Sequence, residues 1–431
     1  MRNAGHPQGS WYAQTAQGGR SYPPLDGCIE VETCILGAGF TGLGAALALA
    51  ERGRQAVVLE AAQVGSGGSG RNGGQIHIGH RRDQSWLEQA LGRDAALDLW
   101  RQAILARDHL LSLIGRLGID CELKAGLIHA EHRPGGGEAL RRHIAHMAAD
   151  YGYDSLEFLP RDRLAELLGT YTYFEGMLDT RGGHLHPLKL AQGMARSASA
   201  AGVRLCEQSR VTAWGRRPGG GYLVETAQGS VLCERLILSG DGYGEAMGPE
   251  VQAAVMPIAN YILVTEPLGD LADEILVSDQ AVADSRFVVS YFRKTPDGRL
   301  LFGGGETYSA REPRDVAGLV ARRMRLVYPR LAHAKVTHAW GGALGVTLNR
   351  MPFLREPSPG LFVATGYSGQ GVVLAPWCGR AMALASLGER EDFEVMAQIP
   401  HRPFPGGPLM RWPALVAGMT YFALRDRLPW R

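Results

Sequence analysis

The feature that most restricts the fold of this chain is a glycine motif near its start, Gly37-Ala38-Gly39-Phe40-Thr41-Gly42. The apolar residues 29–36 before it predict a buried strand, and the Ala/Leu-rich residues 43–52 after it predict a helix. Residues 56–59 predict a second buried strand, which ends at Glu60. This order of elements predicts one β-α-β unit of about 30 residues.

Such a unit is typical of a dinucleotide site, because side chains would keep the backbone away from a pyrophosphate. Gly37 permits the tight turn after the strand, Gly39 the approach of the phosphate, and Gly42 the packing of helix on strand. The N–H groups at Phe40 and Thr41 open the helix and favour an anion there. Glu60 can accept hydrogen bonds from both ribose hydroxyls, which favours FAD or NAD over NADP.

A second glycine cluster follows at once, over residues 65–75, and it favours FAD. A flavin needs a further cradle for its ribityl chain and ring, whereas a nicotinamide dehydrogenase does not. We interpret Ser69, Arg71 and Asn72 as polar contacts to that part of the cofactor, with the backbone of Gly73 and Gly74 against the ring and Gln75 closing the cluster. The alternative is a flexible loop.

A third cluster, Gly366-Tyr367-Ser368-Gly369-Gln370-Gly371, again lies between a predicted strand (361–364) and a predicted helix that continues through Val372 to Leu387. A helix N-terminus aimed at the flavin would stabilise the negative charge that accumulates on reduction. Pro376 is expected in the first turn of that helix. Val211 and Gly240, both at predicted strand ends, complete the expected cofactor contacts.

Composition limits the partners and the compartment. The formal net charge of +2 gives no basic face for nucleic acid. Six cysteines without metal spacing predict buried free thiols in a reducing cytoplasm, and no metal site is expected. No signal-peptide pattern precedes residue 27, and the apolar stretch at 413–424 is too short to span a bilayer, which predicts an amphipathic closing helix.

The three glycine clusters resemble the FAD-dependent D-amino-acid-oxidase superfamily, and within it the γ-glutamylputrescine oxidases. Further strings carry the resemblance along nearly the whole chain: YPPL at 22–25, SGRNGGQ at 69–75, GGHLHPL at 182–188, TEPL at 265–268, LFGGG at 301–305 and HRPFPGG at 401–407. The resemblance implies an α/β (α+β) fold, with a Rossmann-like FAD-binding domain of the glutathione-reductase/D-amino-acid-oxidase type interleaved with an antiparallel-sheet substrate domain.

We expect the domains to alternate along the chain. Residues 1–26 are predicted to be an N-terminal arm anchored by Trp11, Tyr12 and Tyr22. The FAD-binding domain is predicted to take residues 27–90, 171–250 and 331–431, the last with the closing helix. The substrate domain is predicted to take residues 91–170, largely helical, and 251–330, an antiparallel sheet with a hairpin turn at 295–298.

The resemblance implies oxidation of a primary amine by FAD to an imine, followed by release of aldehyde, ammonia and hydrogen peroxide. Two departures stand out: the last loop has Gln370 where many relatives have histidine, and the lysine and flavin-linking cysteine of sarcosine-oxidase-like relatives are missing. We therefore predict non-covalent FAD. The chain has only four lysines, and Lys294 is expected in a hairpin turn rather than at the site.

The candidate catalytic residues are His77, Tyr291, Trp340 and Gln370. Tyr261 and Tyr367 are further candidates for aromatic walls, Glu306 for holding a cationic amine, and Arg286 or Arg293 for meeting a substrate carboxylate; core or surface roles are the alternative for each. The expected partners are a small amine and O2, with no nucleic acid and no transmembrane segment. The competing functions are an oxidase or dehydrogenase for another amine or amino acid, and a non-catalytic flavin-binding protein; the oligomeric state stays open.

Overall fold

The computed structural model describes residues 9–244, 247–307 and 313–405, with the side chains of 306 and 307 excepted. The predicted closing helix at 413–424, the Glu306 side chain and the last two residues of the HRPFPGG string lie outside the described residues. None of the helices in the described part is both long enough and apolar enough to cross a membrane.

Two sheets organise the chain. The first has eight strands in the order β16-β17-β10-β1-β2-β7, with β9 on β10 and β8 on β9. Its centre is parallel, since β1 pairs in parallel with both β2 and β10, and β17 pairs in parallel with β10. The strands are β1 (Gly27–Leu36), β2 (Ala56–Leu59), β7 (Arg204–Cys206), β8 (Val211–Arg216), β9 (Tyr222–Thr226), β10 (Gly229–Leu238), β16 (Phe353–Ser358) and β17 (Leu361–Thr365).

The second sheet has nine strands in the order β15-β11-β14-β13-β12-β4-β6-β3, with β5 on β6. It is antiparallel except where β12 pairs in parallel with β4. The strands are β3 (Gln75–Ile76), β4 (Lys124–Ala130), β5 (Leu156–Leu159), β6 (Gly176–His184), β11 (Val255–Thr265), β12 (Ala281–Asp284), β13 (Tyr291–Lys294), β14 (Leu300–Thr307) and β15 (Val336–Thr347).

Helices cover both sheets. They are α1 (Trp11–Thr15), α2 (Phe40–Glu51), α3 (Gln84–Leu91), α4 (Arg93–Arg116), α5 (Gly137–Tyr151), α6 (Arg161–Leu168), α7 (Pro187–Ala200), α8 (Pro249–Ala254), α9 (Leu271–Glu274), α10 (Val316–Val327), α11 (Gly371–Ala385) and α12 (Glu391–Ala397). The largest core lies between α2, α4, α7, α11 and one face of the first sheet. A second core lies under α6 and α10 on the second sheet.

The two helices that point at the first sheet's carboxyl edge, α2 and α11, touch backbone to backbone. A Cβ on Gly379 would lie 1.9 Å from the Thr41 carbonyl oxygen, and one on Gly44 would lie 2.3 Å from the Pro376 carbonyl oxygen. Pro376 is the sixth residue of α11, so its predicted place in the first turn was wrong. The close approach packs the first two turns of α2 against the second and third turns of α11.

The alternation of two domains along the chain stays a prediction, and the membership of several elements in the two sheets does not follow its boundaries. β6 and β15, predicted for the FAD-binding domain, pair within the second sheet. Helix α4, predicted for the substrate domain, packs in the core of the first sheet. Strand composition predicts that a segment is a strand, whereas its sheet depends on pairing with distant segments.

Gly92 adopts a φ of +89° and separates α3 from α4. The arm anchors are confirmed, since Trp11, Tyr12 and Tyr22 are all buried. All six cysteines are free, but Cys28 is exposed rather than buried.

Candidate cofactor and substrate site

One cavity of about 1360 Å³ lies at the carboxyl edge of the first sheet and continues along the second. Open parallel sheets bind ligands at this edge, where the strand order reverses. All three glycine clusters line it, through residues such as Gly37, Gly68 and Gly369. The volume exceeds the few hundred to about 1,000 Å³ of an ordinary ligand pocket, which leaves room for a large cofactor and a second molecule.

The first loop turns sharply between β1 and α2. Gly37 has a φ of +103°, and a Cβ on Gly42 would lie 1.9 Å from the Gly37 carbonyl oxygen. Gly42 therefore does not line the cavity but allows the turn, in agreement with its expected packing role. The Phe40 N–H donates to Ser69 Oγ at 2.9 Å, and Thr41 Oγ1 bonds Tyr367 Oη at 2.8 Å.

Glu60 lies in the lining immediately after β2. Its Oε2 accepts from the Ala38 N–H at 2.9 Å, and its Oε1 accepts from the Ala62 N–H at 2.9 Å. Burial raises the pKa of this carboxyl, while the two backbone donors and Ser66 oppose the rise. A carboxylate offers about four acceptor positions, so those not taken by backbone are open to ribose hydroxyls.

The second loop is held by its own side chains. Asn72 donates from Nδ2 to the Gly68 and Ser69 carbonyls, and its Oδ1 accepts from the Gly74 N–H at 2.7 Å. Arg71 donates to the carbonyls of Ser66 and Gly341. Ser69, Arg71 and Asn72 line the cavity as predicted contacts, but the bonds they form within the protein shape the loop.

Gly73 and Gly74 have different positions in this loop. Gly73 lines the cavity, and a Cβ there would lie 2.6 Å from the Tyr291 ring. Gly74 is not part of the lining; a Cβ there would lie 2.0 Å from the Leu185 carbonyl oxygen. Gln75 lines the cavity and donates to the Val282 carbonyl at 2.7 Å, which joins β3 to the second sheet.

The third loop is held by an aspartate. Asp241 Oδ1 accepts from the Gly366 N–H at 2.8 Å and from Thr365 Oγ1 at 3.1 Å, and Oδ2 accepts from the Gly345 N–H at 3.1 Å. Gly366 therefore acts behind the lining, while Ser368, Gly369, Gly371 and Val372 lie in it. Asp241 was missed in the sequence analysis, because its partners lie more than 100 residues further along the chain.

Gln370 precedes the first residue of α11 and donates from Nε2 to the His80 carbonyl at 3.0 Å. Its Oε1 is buried and has no hydrogen-bond partner within the part of the chain that the structure describes. A buried acceptor without a partner is costly, and a ligand donor would satisfy it. Val211 and Gly240 also line the cavity, at the ends of β8 and β10.

The candidate substrate residues fall into two groups. His77 and Tyr291 line the cavity, and Tyr291 Oη donates to Asn260 Oδ1 at 2.6 Å. Trp340 is not among the residues that line it, and its catalytic role stays a prediction. Its indole packs against Tyr12 and donates to the Arg71 carbonyl at 3.0 Å, which places it behind the second loop.

Several further candidates have structural roles. Tyr261 is buried in the core of the second sheet. Arg286 pairs with Asp284. Arg293 is buried, and Lys294 ends β13 and donates from Nζ to the Ala272 carbonyl at 3.3 Å.

Histidines form one wall of the cavity. His77, His129 and His143 all lie in the lining, with the His77 and His129 rings 5.5 Å apart. Burial, followed by neighbouring positive charge, lowers the pKa of His77 well below 6.5 and that of His129 to about 4. At neutral pH this wall is therefore uncharged and polar. His129 and Asn260 were missed because each lies within an ordinary strand pattern.

The residues fit FAD. The site has glycine positions that a Cβ would fill and an acidic residue beside the first turn. It also has two helix N-termini and an amide oxygen without a partner among the described residues. Together these features define a flavin-binding oxidoreductase site. Within the described residues, no cluster of three His, Cys, Asp or Glu side chains could hold a metal ion.

Similarity to known proteins agrees with a flavin-binding site. A family model described as FAD dependent oxidoreductase (DAO) matches residues 32–385, so the chain belongs to this family of FAD-binding flavoproteins. It is 38% identical over 98% of its length to a probable oxidoreductase OrdL of Rhizobium meliloti, 98% of which is covered. It is 35% identical over 97% of its length to γ-glutamylputrescine oxidoreductase of Escherichia coli, 98% of which is covered.

A solved structure of glycine oxidase from Bacillus cereus superposes with a TM-score of 0.71 at 20% identity, covering 86% of this chain and 99% of the other. At that identity the likeness concerns the fold. The predicted mixed α/β fold with a flavin-binding unit is thereby confirmed.

Proposed function

We propose that this chain oxidises a primary amine, with γ-glutamylputrescine as its substrate, to the aldehyde, ammonia and hydrogen peroxide. The observation that carries the proposal is the wall of His77, His129 and His143, which lies in the same cavity as the three glycine loops. Burial lowers the pKa of all three imidazoles, so the wall is uncharged at neutral pH and suits an amine that enters or reacts uncharged.

The chain's own residues would keep the amine in that form. The neutral wall of His77, His129 and His143 offers no anion to an ammonium group, and burial lowers the pKa of an amine. Tyr291, held by Asn260, would orient the reacting carbon by contact. FAD, when bound, supplies the acceptor for a hydride and then delivers two electrons to O2.

The steps balance on the substrate side. Loss of hydride from R–CH2–NH2 leaves the iminium R–CH=NH2+, and water converts this to R–CHO and NH4+. Two electrons and two protons reduce O2 to H2O2. The chain's part in these steps is to hold the amine and exclude bulk water, since positioning accounts for much of the rate enhancement in such reactions.

Guanidinium groups in the lining can meet a substrate carboxylate. Arg350 lies over the Phe287 ring at 4.5 Å, and Arg82 donates to the Asn349 carbonyl and lies over the Trp86 ring at 4.8 Å. These contacts hold both side chains in the lining, and the planar fork of a guanidinium matches the geometry of a carboxylate. We propose that these two arginines bind the glutamyl carboxylate.

Two further features of the proposed enzyme concern the cofactor and its surroundings. None of the six cysteines lies in the cavity lining, which supports non-covalent FAD. The six free thiols also support a cytoplasmic location.

The test uses the purified holoprotein under anaerobic conditions. γ-Glutamylputrescine is expected to bleach the flavin absorption band faster than putrescine, sarcosine, glycine or D-amino acids do. Air should then restore the band, with one H2O2 formed per turnover. Bleaching that air does not reverse would indicate a dehydrogenase, which is the competing enzyme function. No bleaching by any amine would contradict the proposal and favour a flavin-binding protein without turnover.

The carboxylate contact has its own test. Arg350→Met is expected to raise KM for γ-glutamylputrescine about tenfold and to leave the reaction with putrescine unchanged. Arg217→Met, on the exposed β8–β9 turn, is the matched control. Equal losses with both substrates would remove Arg350 from substrate binding.

A further inference from the structure

Arg293 is a buried cation that has no counter-ion among the described residues. Its side chain lies on β13, and the residue is 1% exposed. Within the part of the chain that the structure describes, no carboxylate forms an ion pair with it. Burying an unpaired charge costs several kcal/mol, so we expect the charge of Arg293 to have a function.

The acceptors that the described residues offer to Arg293 are all neutral. Nε donates to the Gly73 carbonyl at 3.1 Å, and Nη1 donates to the Lys294 carbonyl at 3.2 Å. Nη2 donates to the Leu185 carbonyl at 3.2 Å and to Tyr12 Oη at 3.3 Å. These bonds hold the guanidinium in one orientation but leave its full positive charge in place.

Neighbouring side chains respond to that charge. Burial and then Arg293 lower the pKa of His184 to about 4, and burial, Arg293 and Lys189 lower that of His186 to about 3. Both imidazoles therefore stay neutral beside it. The charge acts in a water-poor region, where screening is weak.

The position of Gly73 connects this charge to the cofactor. Gly73 lines the cavity, so the guanidinium lies directly behind the cavity wall, bonded to the carbonyl of the residue that forms it. When FAD accepts a hydride, it gains a pair of electrons and one proton and therefore one negative charge.

We propose that Arg293 is a positioning residue that stabilises the negative charge of the reduced cofactor and so raises the reduction potential of the bound FAD. It does not touch the substrate. The inference rests on FAD binding and is independent of which amine is oxidised, so it can fail while the proposed function stands.

The main test compares Arg293→Met, which removes the charge, with Arg293→Lys, which keeps it. Sulfite is the probe, because its adduct with oxidised flavin carries a negative charge and needs no amine. Arg293→Met should weaken sulfite binding about tenfold and lower the midpoint potential by about 30 mV, the equivalent of tenfold for a two-electron couple. Arg293→Lys should stay within about threefold of the parent in sulfite affinity.

A second pair of variants guards against misfolding of Arg293→Met. Tyr12→Glu places a carboxylate beside Nη2 and neutralises the charge without removing it, whereas Tyr12→Gln is the neutral match. The glutamate variant should lower sulfite affinity relative to the glutamine variant. The proposal is overturned if Arg293→Lys and Arg293→Met weaken sulfite binding and lower the potential equally. It is also overturned if the two variants within each pair show the same sulfite affinity and the same potential, whatever happens to thermal stability.

Discussion

The contact between α2 and α11 can be tested by adding a single methyl group. In Gly379→Ala, the new Cβ would lie 1.9 Å from the Thr41 carbonyl oxygen and 2.8 Å from the Ala45 nitrogen. Ordinary contacts of this kind exceed 3 Å, so the helices must separate by more than an ångström. Overpacking of a buried contact costs about 1–3 kcal/mol.

The same separation should appear in cofactor binding, because it moves the two helix N-termini apart at the cavity. If the cost falls on the FAD-bound state, the Kd for FAD rises about 5- to 150-fold, since 1.4 kcal/mol is a factor of ten. Urea unfolding of the apoprotein and fluorescence titration with FAD separate the two contributions. The variant should be less stable, bind FAD more weakly, or both.

Gly115→Ala is the matched control. Gly115 lies near the end of α4, and none of the described residues comes within 4 Å of a Cβ built there. The same chemical change should therefore be neutral or stabilise by a few tenths of a kcal/mol. If Gly379→Ala retains the parent's unfolding midpoint and FAD affinity, the inferred close packing of the helices is refuted.

Three further predictions concern single side chains. Glu60→Gln should weaken FAD binding about tenfold in a fluorescence titration, because its amide would turn a donor toward a backbone N–H; Glu389→Gln, in an exposed ion pair, should change nothing. Since burial holds the pKa of His129 at about 4, below its usual 6.5, the folded protein binds fewer protons and loses stability as pH falls from 6.5 to about 4, but not above. His129→Gln should flatten that loss in urea unfolding, and an unchanged slope would exclude His129 as its source. Tyr291→Phe should lower kcat/KM severalfold and leave FAD affinity unchanged, because it removes the bond to Asn260 while keeping the ring; a parent-like kcat/KM would contradict its role in orienting substrate.

The cofactor loops could be predicted from the sequence because their requirement is local. A strand, a glycine turn and a helix follow one another within a few residues, and the turn at Gly37 takes the positive φ that glycine permits. All three loops indeed line one cavity. The predicted helix after the third loop is present, although it begins at Gly371, within the predicted loop, and ends at Ala385.

The environment of Trp340 could not be predicted in this way. An aromatic residue on a strand has the same pattern whether it faces a ligand or a helix. Here the N-terminal helix α1 places Tyr12 against the indole, and nothing in the polar composition of the arm indicates where it docks. Asp241 was overlooked for a related reason: its three acceptor contacts join segments that are distant in sequence.

Those contacts have a consequence for how the site is completed during synthesis. The Asp241 carboxylate binds backbone at residues 345 and 366, and the lining extends from Leu36 to Ala375. A nascent chain that ends before the third loop has the first two loops. It has neither the Gly366 N–H that donates to Asp241 nor the N-terminus of α11. We therefore expect FAD to be acquired only near the end of translation, and chains truncated before residue 366 to emerge without flavin.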